Sequence, residues 1–158
     1  MAQMVLAVLK AQTNGAISII TGRAGMIFTP YDSVNNRWGT GGYVSRFDTF
    51  PDTCSTCWIA RAWTAPSAGT ISIRGRVLKN DTGGGDGVQV RITQNGTQIW
   101  PTAGGAQAIA WNDQSGYDTD LDSISVSAND VIHFEVNDGG AGNAAFDPTS
   151  WVPTVALQ

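Results

Sequence analysis

From about residue 41 onward, apolar and polar positions alternate with a period of two, the spacing of side chains on a pleated strand. In residues 70–78, Ile71, Ile73 and Val77 fall on one face, with Ser72, Arg74 and Arg76 on the other. In residues 87–94, Val88, Val90 and Ile92 point inward and Gln89 and Arg91 outward. In residues 131–137, Ile132, Phe134 and Val136 point inward and His133 and Glu135 outward. Ile124 and Val126 alternate with Ser123, Ser125 and Ser127. Each pattern predicts a half-buried antiparallel strand. The helical period is almost absent; only residues 2–12 fit either reading. Residues 16–20 and 26–29 are predicted edge strands, and residues 32–37 a turn.

The connections carry turn chemistry. Asn95-Gly96 is a type I′ hairpin signal. Asn129-Asp130 is expected to close another hairpin, and residues 80–87 and 137–148 are Gly/Asp/Asn loops. Short strands with turns roughly every 8–12 residues predict an all-β sandwich or barrel. At 158 residues the chain reads as one domain, its first 40 residues the least patterned.

Composition narrows the function. The formal net charge is −4 and charged residues are only 14%. A nucleic-acid binder normally shows a basic stripe, and a membrane-surface protein a polybasic segment; neither is present. No run approaches the roughly 18 apolar residues of a membrane span. The apolar stretch at Met1 to Leu9 has no basic residues before it and does not read as an intact signal peptide. Ser, Thr, Asn, Gln and Gly cover the surface instead, as in extracellular β-proteins that meet neutral polar ligands. Cys54 and Cys57 are three apart, and the single histidine, His133, is remote in sequence. A Cys/His zinc site is therefore disfavoured, leaving a short loop-closing disulfide or two quiet thiols.

Catalytic signals are thin. There is no nucleophile elbow, and one histidine leaves few triad options. Glu135 is the only glutamate, and it is not expected to share a substrate atom with His133. The acids suit calcium better, because Ca²⁺ takes oxygen ligands from flexible loops. A structural Ca²⁺ is expected on Asp86, Asn137, Asp138 and Asp147. Asp118, Asp120 and Asp122 pose a parity problem. One regular strand continuing through Ile124 and Val126 would carry all three carboxylates into the core, which is too costly. Either the strand starts near Asp122 or these acids converge on a cation.

Six tryptophans are many for this length. Trp63, Trp100 and Trp151 sit in or at the ends of apolar strands and read as core. Trp38, Trp58, Trp111 and Tyr117 lie in polar surroundings, and exposed aromatics beside Asn112, Asp113 and Gln114 are expected to bind something. Sugar rings stack their C–H faces on such platforms while amides and carboxylates take the hydroxyls.

Four stretches then resemble a known family. They are residues 62–73 (AWTAPSAGTISI), residues 84–101 (GGDGV and ITQNGTQIWP), residues 126–137 (VSANDVIHFEVN) and residues 147–155 (DPTSWVPTV). In this order they resemble the β-jelly-roll carbohydrate-binding modules appended to bacterial polysaccharide-degrading enzymes. The Cys54/Cys57 pair is not part of that pattern, and Asn129 stands where such turns usually have Gly. The resemblance implies a two-sheet antiparallel jelly roll, an extracellular parent enzyme with a covalently linked catalytic domain, and frequently a bound Ca²⁺. The expected function is non-catalytic targeting of that glycoside hydrolase to its polysaccharide. The acidic balance favours a neutral β-glucan or hemicellulose (xyloglucan, mixed-linkage glucan, cellulose), unless Arg37, Arg46, Arg61 and Arg74 cluster. The alternatives are a surface or phage-type adhesion sandwich and a small polysaccharide-degrading enzyme. Partners outside these classes, nucleic acid and membrane, are not expected.

Overall fold

Strands are the only regular elements among the described residues of the computed structural model, which are 4–6, 27–28, 31–39 and 42–158. In chain order they begin with β1 (Met4–Leu6), β2 (Ile27–Phe28), β3 (Tyr31–Asp32), β4 (Arg37–Trp38), β5 (Tyr43–Ser45), β6 (Asp48–Phe50), β7 (Trp58–Thr64), β8 (Gly69–Arg74) and β9 (Arg76–Lys79). They continue with β10 (Val88–Gln94), β11 (Thr97–Trp100), β12 (Gln107–Ile109), β13 (Tyr117–Asp118), β14 (Leu121–Val126), β15 (Val131–Asn137), β16 (Thr149–Trp151) and β17 (Thr154–Leu157). Residues 16–20 lie outside the described residues, and so does most of 2–12.

One sheet runs β11-β10-β15-β7-β1-β2, with β12 also paired to β10. The other runs β13-β9-β16-β6-β5-β4-β3. A shorter sheet, β14-β8-β17, repeats the order of the first three of those strands on the far side of a common break. Gly75, Thr119–Asp120 and Val152–Pro153 form that break. Thr119 donates its N–H and its hydroxyl to the Gly75 carbonyl, at 2.8 and 3.1 Å. A Cβ on Gly75 would stand 3.2 Å from Pro153 Cα, tighter than ordinary contact. All pairings are antiparallel except those of β1, which runs parallel to β2 and β7.

The two layers make a β-sandwich. Val88, Val90, Ile92, Ile132, Phe134, Val136 and Trp63 from one layer meet Ile71, Ile73, Val77, Val126 and Trp151 from the other in a single buried cluster. Trp151 packs edge-on to Phe134, with ring centroids 5.5 Å apart. Full burial of each such side chain is worth about 1.5–3 kcal/mol, so this cluster is the main source of stability. Trp63 and Trp151 are core, as the sequence predicts, and Trp100 packs against it at the edge.

The parity problem is solved by a bulge. Ser123 takes a left-handed φ of 57°, and the pairing of β14 with β8 slips between Leu121 and Ile124. Leu121 and Ile124 can then both face inward. Such a residue costs about 1–3 kcal/mol, less than three unpaired buried carboxylates. The acids stay outside and meet protein donors. Asp118 pairs with Arg76 at 2.7 Å, Asp122 pairs with Arg74, and Asp120 accepts from Gly75 N–H at 3.1 Å.

Asn95 and Gly96 have φ of 51° and 86°, as a type I′ turn demands, and they join β10 to β11. The Asn129-Asp130 turn is not a hairpin. It carries the chain from β14 in one layer to β15 in the other. The reason lies in its anchors: Asn129 N–H donates to Ala65 O and Ala65 N–H to Asp130 O, both at 2.8 Å, tying the turn to the β7–β8 link.

Asp130 holds this turn through acceptors only. Its carboxylate receives Ser127 N–H at 2.9 Å, Asn95 Nδ2 at 2.8 Å and Gln94 Nε2 at 2.9 Å. These donors, Ser127 foremost, hold its pKa below the ordinary 3.8. A carboxylate with a depressed folded-state pKa stabilises the fold above its unfolded value, and the gain is lost as pH falls through the folded value. Asp130→Ala is therefore expected to lower the melting temperature at pH 7. It should also flatten the fall in stability below about pH 4. Melting curves of both proteins from pH 7 to pH 2 check this, and parallel curves would remove the assignment.

Candidate functional site

One end of the sandwich opens into a cleft of about 300 Å³. Val88 and Gln89 of β10, Ala108 and Ile109 of β12, and Tyr117 of β13 line it, with Asp86, Asp113 and Gly139 on the loops around it. Two glycines allow its walls to close. Gly87 has φ of 96°, and a Cβ there would lie 2.3 Å from Ile109 O. Gly116 has φ of 61°, and its Cβ would lie 2.0 Å from Val77 O. Only glycine tolerates both the left-handed backbone and the close approach. The wall carrying Asp113 is clamped at several points. Asp113 Oδ1 accepts Ser115 N–H and Gly116 N–H, both at 2.9 Å. Asp113 N–H donates to Ala110 O at 3.0 Å, and Lys79 N–H donates to Asp113 O at 3.2 Å.

The structure sorts the expected aromatic platforms. Trp111 is 43% exposed on the turn that forms this wall, and Tyr117 is 36% exposed in the cleft itself. Asn112 and Gln114 are exposed on the same turn, and Asp113 lines the cleft. These five residues therefore fall on one short segment. Trp38 does not join them. It packs against Val44 and Ile59, and the order β13-β9-β16-β6-β5-β4 places it five strands from Tyr117. Trp58 lies in the other sheet, half-buried beneath the Arg91 guanidinium at 4.0 Å. Gln89, Gly87 and Gly139 belong to the cleft but were not singled out by sequence. Gln89 reads simply as the wet face of a strand, and the run Gly85-Asp86-Gly87 is the available hint.

Of the loop residues expected to take calcium, Asn137, Asp138 and Asp147 are met by protein groups, whereas Asp86 lines the cleft. Asp147 Oδ1 accepts from Lys79 Nζ at 2.6 Å, with both side chains fully buried. Lys79 Nζ also donates to Phe146 O at 2.5 Å. Burial pushes the Asp147 carboxyl above its usual range, Lys79 pulls it back, and the charges of Asp86 and Asp138 add to the rise. Asp138 accepts from Cys54 N–H and Gly140 N–H, each at 3.1 Å. Asn137 Nδ2 donates to Cys57 O at 2.7 Å. Among the described residues no group of three or more His, Cys, Asp or Glu side chains stands close enough to hold a metal ion. Cys54 and Cys57 form a disulfide, which closes the loop that Asp138 and Asn137 grip.

His133 and Glu135 share the outer face of the first sheet, so the expectation that they are kept apart is corrected: residues two apart on a strand point the same way. That face is covered. Glu135 is fully buried and accepts from Arg91 Nε at 2.5 Å and Thr93 Oγ1 at 3.0 Å. Burial lowers the His133 pKa, with Glu135 acting in the opposite sense. The only glutamate is thus an ion-pair partner inside the fold. Three of the four arginines gather at one turn and none lines the cleft: Arg37 is opposite Ser45 in the ladder, Arg46 follows Ser45, and Arg61 donates to Arg46 O at 3.4 Å. Arg37 stands 3.7 Å from Asp32, Arg74 pairs with Asp122, and Arg46 lies over the Phe47 ring. Arg61 is buried and donates to Ser45 O and Asp48 O at 2.9 and 3.2 Å. Burial lowers its pKa to about 10, so it remains charged at neutral pH.

No protein-family model matches this chain, and no curated protein matches it.

Gly116→Ala is expected to cost about 1–3 kcal/mol or more, because backbone strain and collision with Val77 add. Gly104→Ala is the control, with φ of 77° and open space around its Cβ position. Urea melts of both variants check this; equal losses would show that contact with Val77 carries no weight.

Proposed function

We propose that this chain is a non-catalytic carbohydrate-binding module whose site is the cleft beside Trp111 and Tyr117. The observation that carries the reading is the exposed Tyr117 ring in a cleft lined by Gln89, Asp86 and Asp113, with Trp111 exposed on the adjoining turn. Aromatic faces bind the C–H faces of sugars, and a few placed polar groups fix orientation. The rings are supplied by a clamped turn, so little ordering entropy is lost on binding. Two carboxylates and no arginine or lysine line the cleft, which favours a neutral glycan such as a β-glucan or hemicellulose over a uronate polymer.

Two further features support the module reading. From β6 onward the layers have the orders β6-β16-β9-β13 and β7-β15-β10-β11, and the chain crosses between them except around the β10–β11 hairpin and β12, an order that supports a jelly-roll reading. The disulfide suits an oxidising, extracellular setting. In that setting the module would hold a linked glycoside hydrolase on its polymer by raising effective concentration.

Affinity electrophoresis against xyloglucan, mixed-linkage β-glucan, xylan, mannan and alginate tests the reading. The chain is expected to be retarded in at least one neutral gel and to run freely in alginate. Trp111→Ala should weaken retention by about tenfold or more, since one stacked ring is worth about 1.4 kcal/mol, while its half-exposed position leaves the melting temperature nearly unchanged. Free migration of the folded protein in every gel would overturn the proposal and favour an adhesion or interaction domain.

A further inference from the structure

The contact between Lys79 and Asp147 has the makings of a covalent bond, independently of any sugar-binding role. Lys79 ends β9, and Asp147 lies two residues before Thr149, which is paired opposite Lys79 on β16. The backbone ladder therefore sets both side chains in one place. Both are fully shut off from solvent, with Nζ 2.6 Å from Oδ1. Asp147 Oδ2 is also buried and has no hydrogen-bond partner among the described residues. A buried ion pair recovers its desolvation only when its remaining lone pairs are satisfied. Here one carboxylate oxygen is left bare, so the charged pair is an expensive state.

We propose that Lys79 and Asp147 condense into an intramolecular isopeptide bond after folding. A proton passes from Nζ to the carboxylate inside the pair. The amine then attacks Cγ, and a C–N bond forms. One carboxyl oxygen leaves as water, carrying two of the three hydrogens that began on Nζ; the third stays on the amide nitrogen. No electron is gained or lost and no co-reactant is needed. In solution this condensation is unfavourable. Groups held in contact inside a fold, however, act at effective molarities that reach about 10⁵–10⁸ M. The product also removes two buried charges and the bare oxygen together.

The charges of Asp86 and Asp138 favour the neutral form of Asp147, the form that the amine attacks. Asp138 is itself occupied by two backbone N–H groups. The bond would join positions 68 apart and close β10 through β15 in one covalent loop. Such a link stabilises chiefly by restricting the unfolded chain.

Intact-mass measurement on the folded full chain, with its disulfide reduced, is the test. The native protein should be lighter than its sequence by one water. Trypsin should fail to cut after Lys79, and the digest should contain a branched peptide joining Lys79 to Asp147. Lys79→Arg should have the full mass of its own sequence. Cyclisation at Asp86-Gly87 or Asp138-Gly139 would also lose water but would leave Lys79 cleavable, and that result counts against the proposal. A native mass equal to the sequence mass overturns it outright.

Discussion

The Lys79 side chain has no exposed atom, so its ammonium must be met by oxygens of the protein itself. The two it finds are Phe146 O and Asp147 Oδ1, both in the loop that leads into β16. Meeting them bends that loop sharply. Phe146 takes a left-handed φ of 63°, a conformation that a bulky residue adopts only under constraint. Its ring is pushed outward onto Gly83 and Gly84, where added Cβ atoms would stand 3.4 and 3.2 Å from it. One buried cation thus ties together β9, the entry to β16 and the glycine loop that crosses between the layers. The far edge of that glycine loop, Asp86 and Gly87, is a wall of the cleft. The site consequently inherits its shape from a requirement of the interior.

Polar groups elsewhere obey the same rule on a smaller scale. Arg61 lies opposite Phe134 in the ladder, yet it is charged and buried. It is tolerated because backbone carbonyls of the β5–β6 turn receive it, and in doing so it docks that hairpin on the sandwich. Glu135 is accepted because Arg91 and Thr93 face it across one strand pair. Arg91 in turn lies on Trp58, so this tryptophan serves an ion pair rather than solvent. Trp38, packed on Val44 and Ile59, is likewise engaged by the fold. Among the described tryptophans and tyrosines, Trp111 and Tyr117 stay exposed, Tyr117 in the cleft and Trp111 on the adjoining turn.

The alternation of Val88, Val90 and Ile92, and of Ile132, Phe134 and Val136, was enough to identify strands and their inner faces, because burial on a pleated surface depends on parity alone. Asn95-Gly96 was legible for the same local reason: its two left-handed residues need no distant partner. The core tryptophans and the grouping of Asn112, Asp113 and Gln114 beside Trp111 were also visible, since neighbours in sequence on one turn stay neighbours in space.

What local pattern could not carry was anything that depends on which layer receives the next strand. Asn129-Asp130 looks like a hairpin, but Ala65 anchors it as a crossover between layers. Asp118, Asp120 and Asp122 look like core-bound acids or cation ligands, but a one-residue bulge at Ser123 turns them toward Arg74 and Arg76. Asp147 looks like a calcium ligand in a loop of acids, and only the fold brings Lys79 beside it from 68 residues away. The strands, their buried faces and the segment bearing the exposed rings were legible along the chain, because they follow from side-chain chemistry at short range. The tertiary structure alone decided the partners of the charges and the walls of the cleft. Both arise from long-range pairing, where a buried charge or a glycine's missing Cβ takes effect only once distant backbone has closed on it.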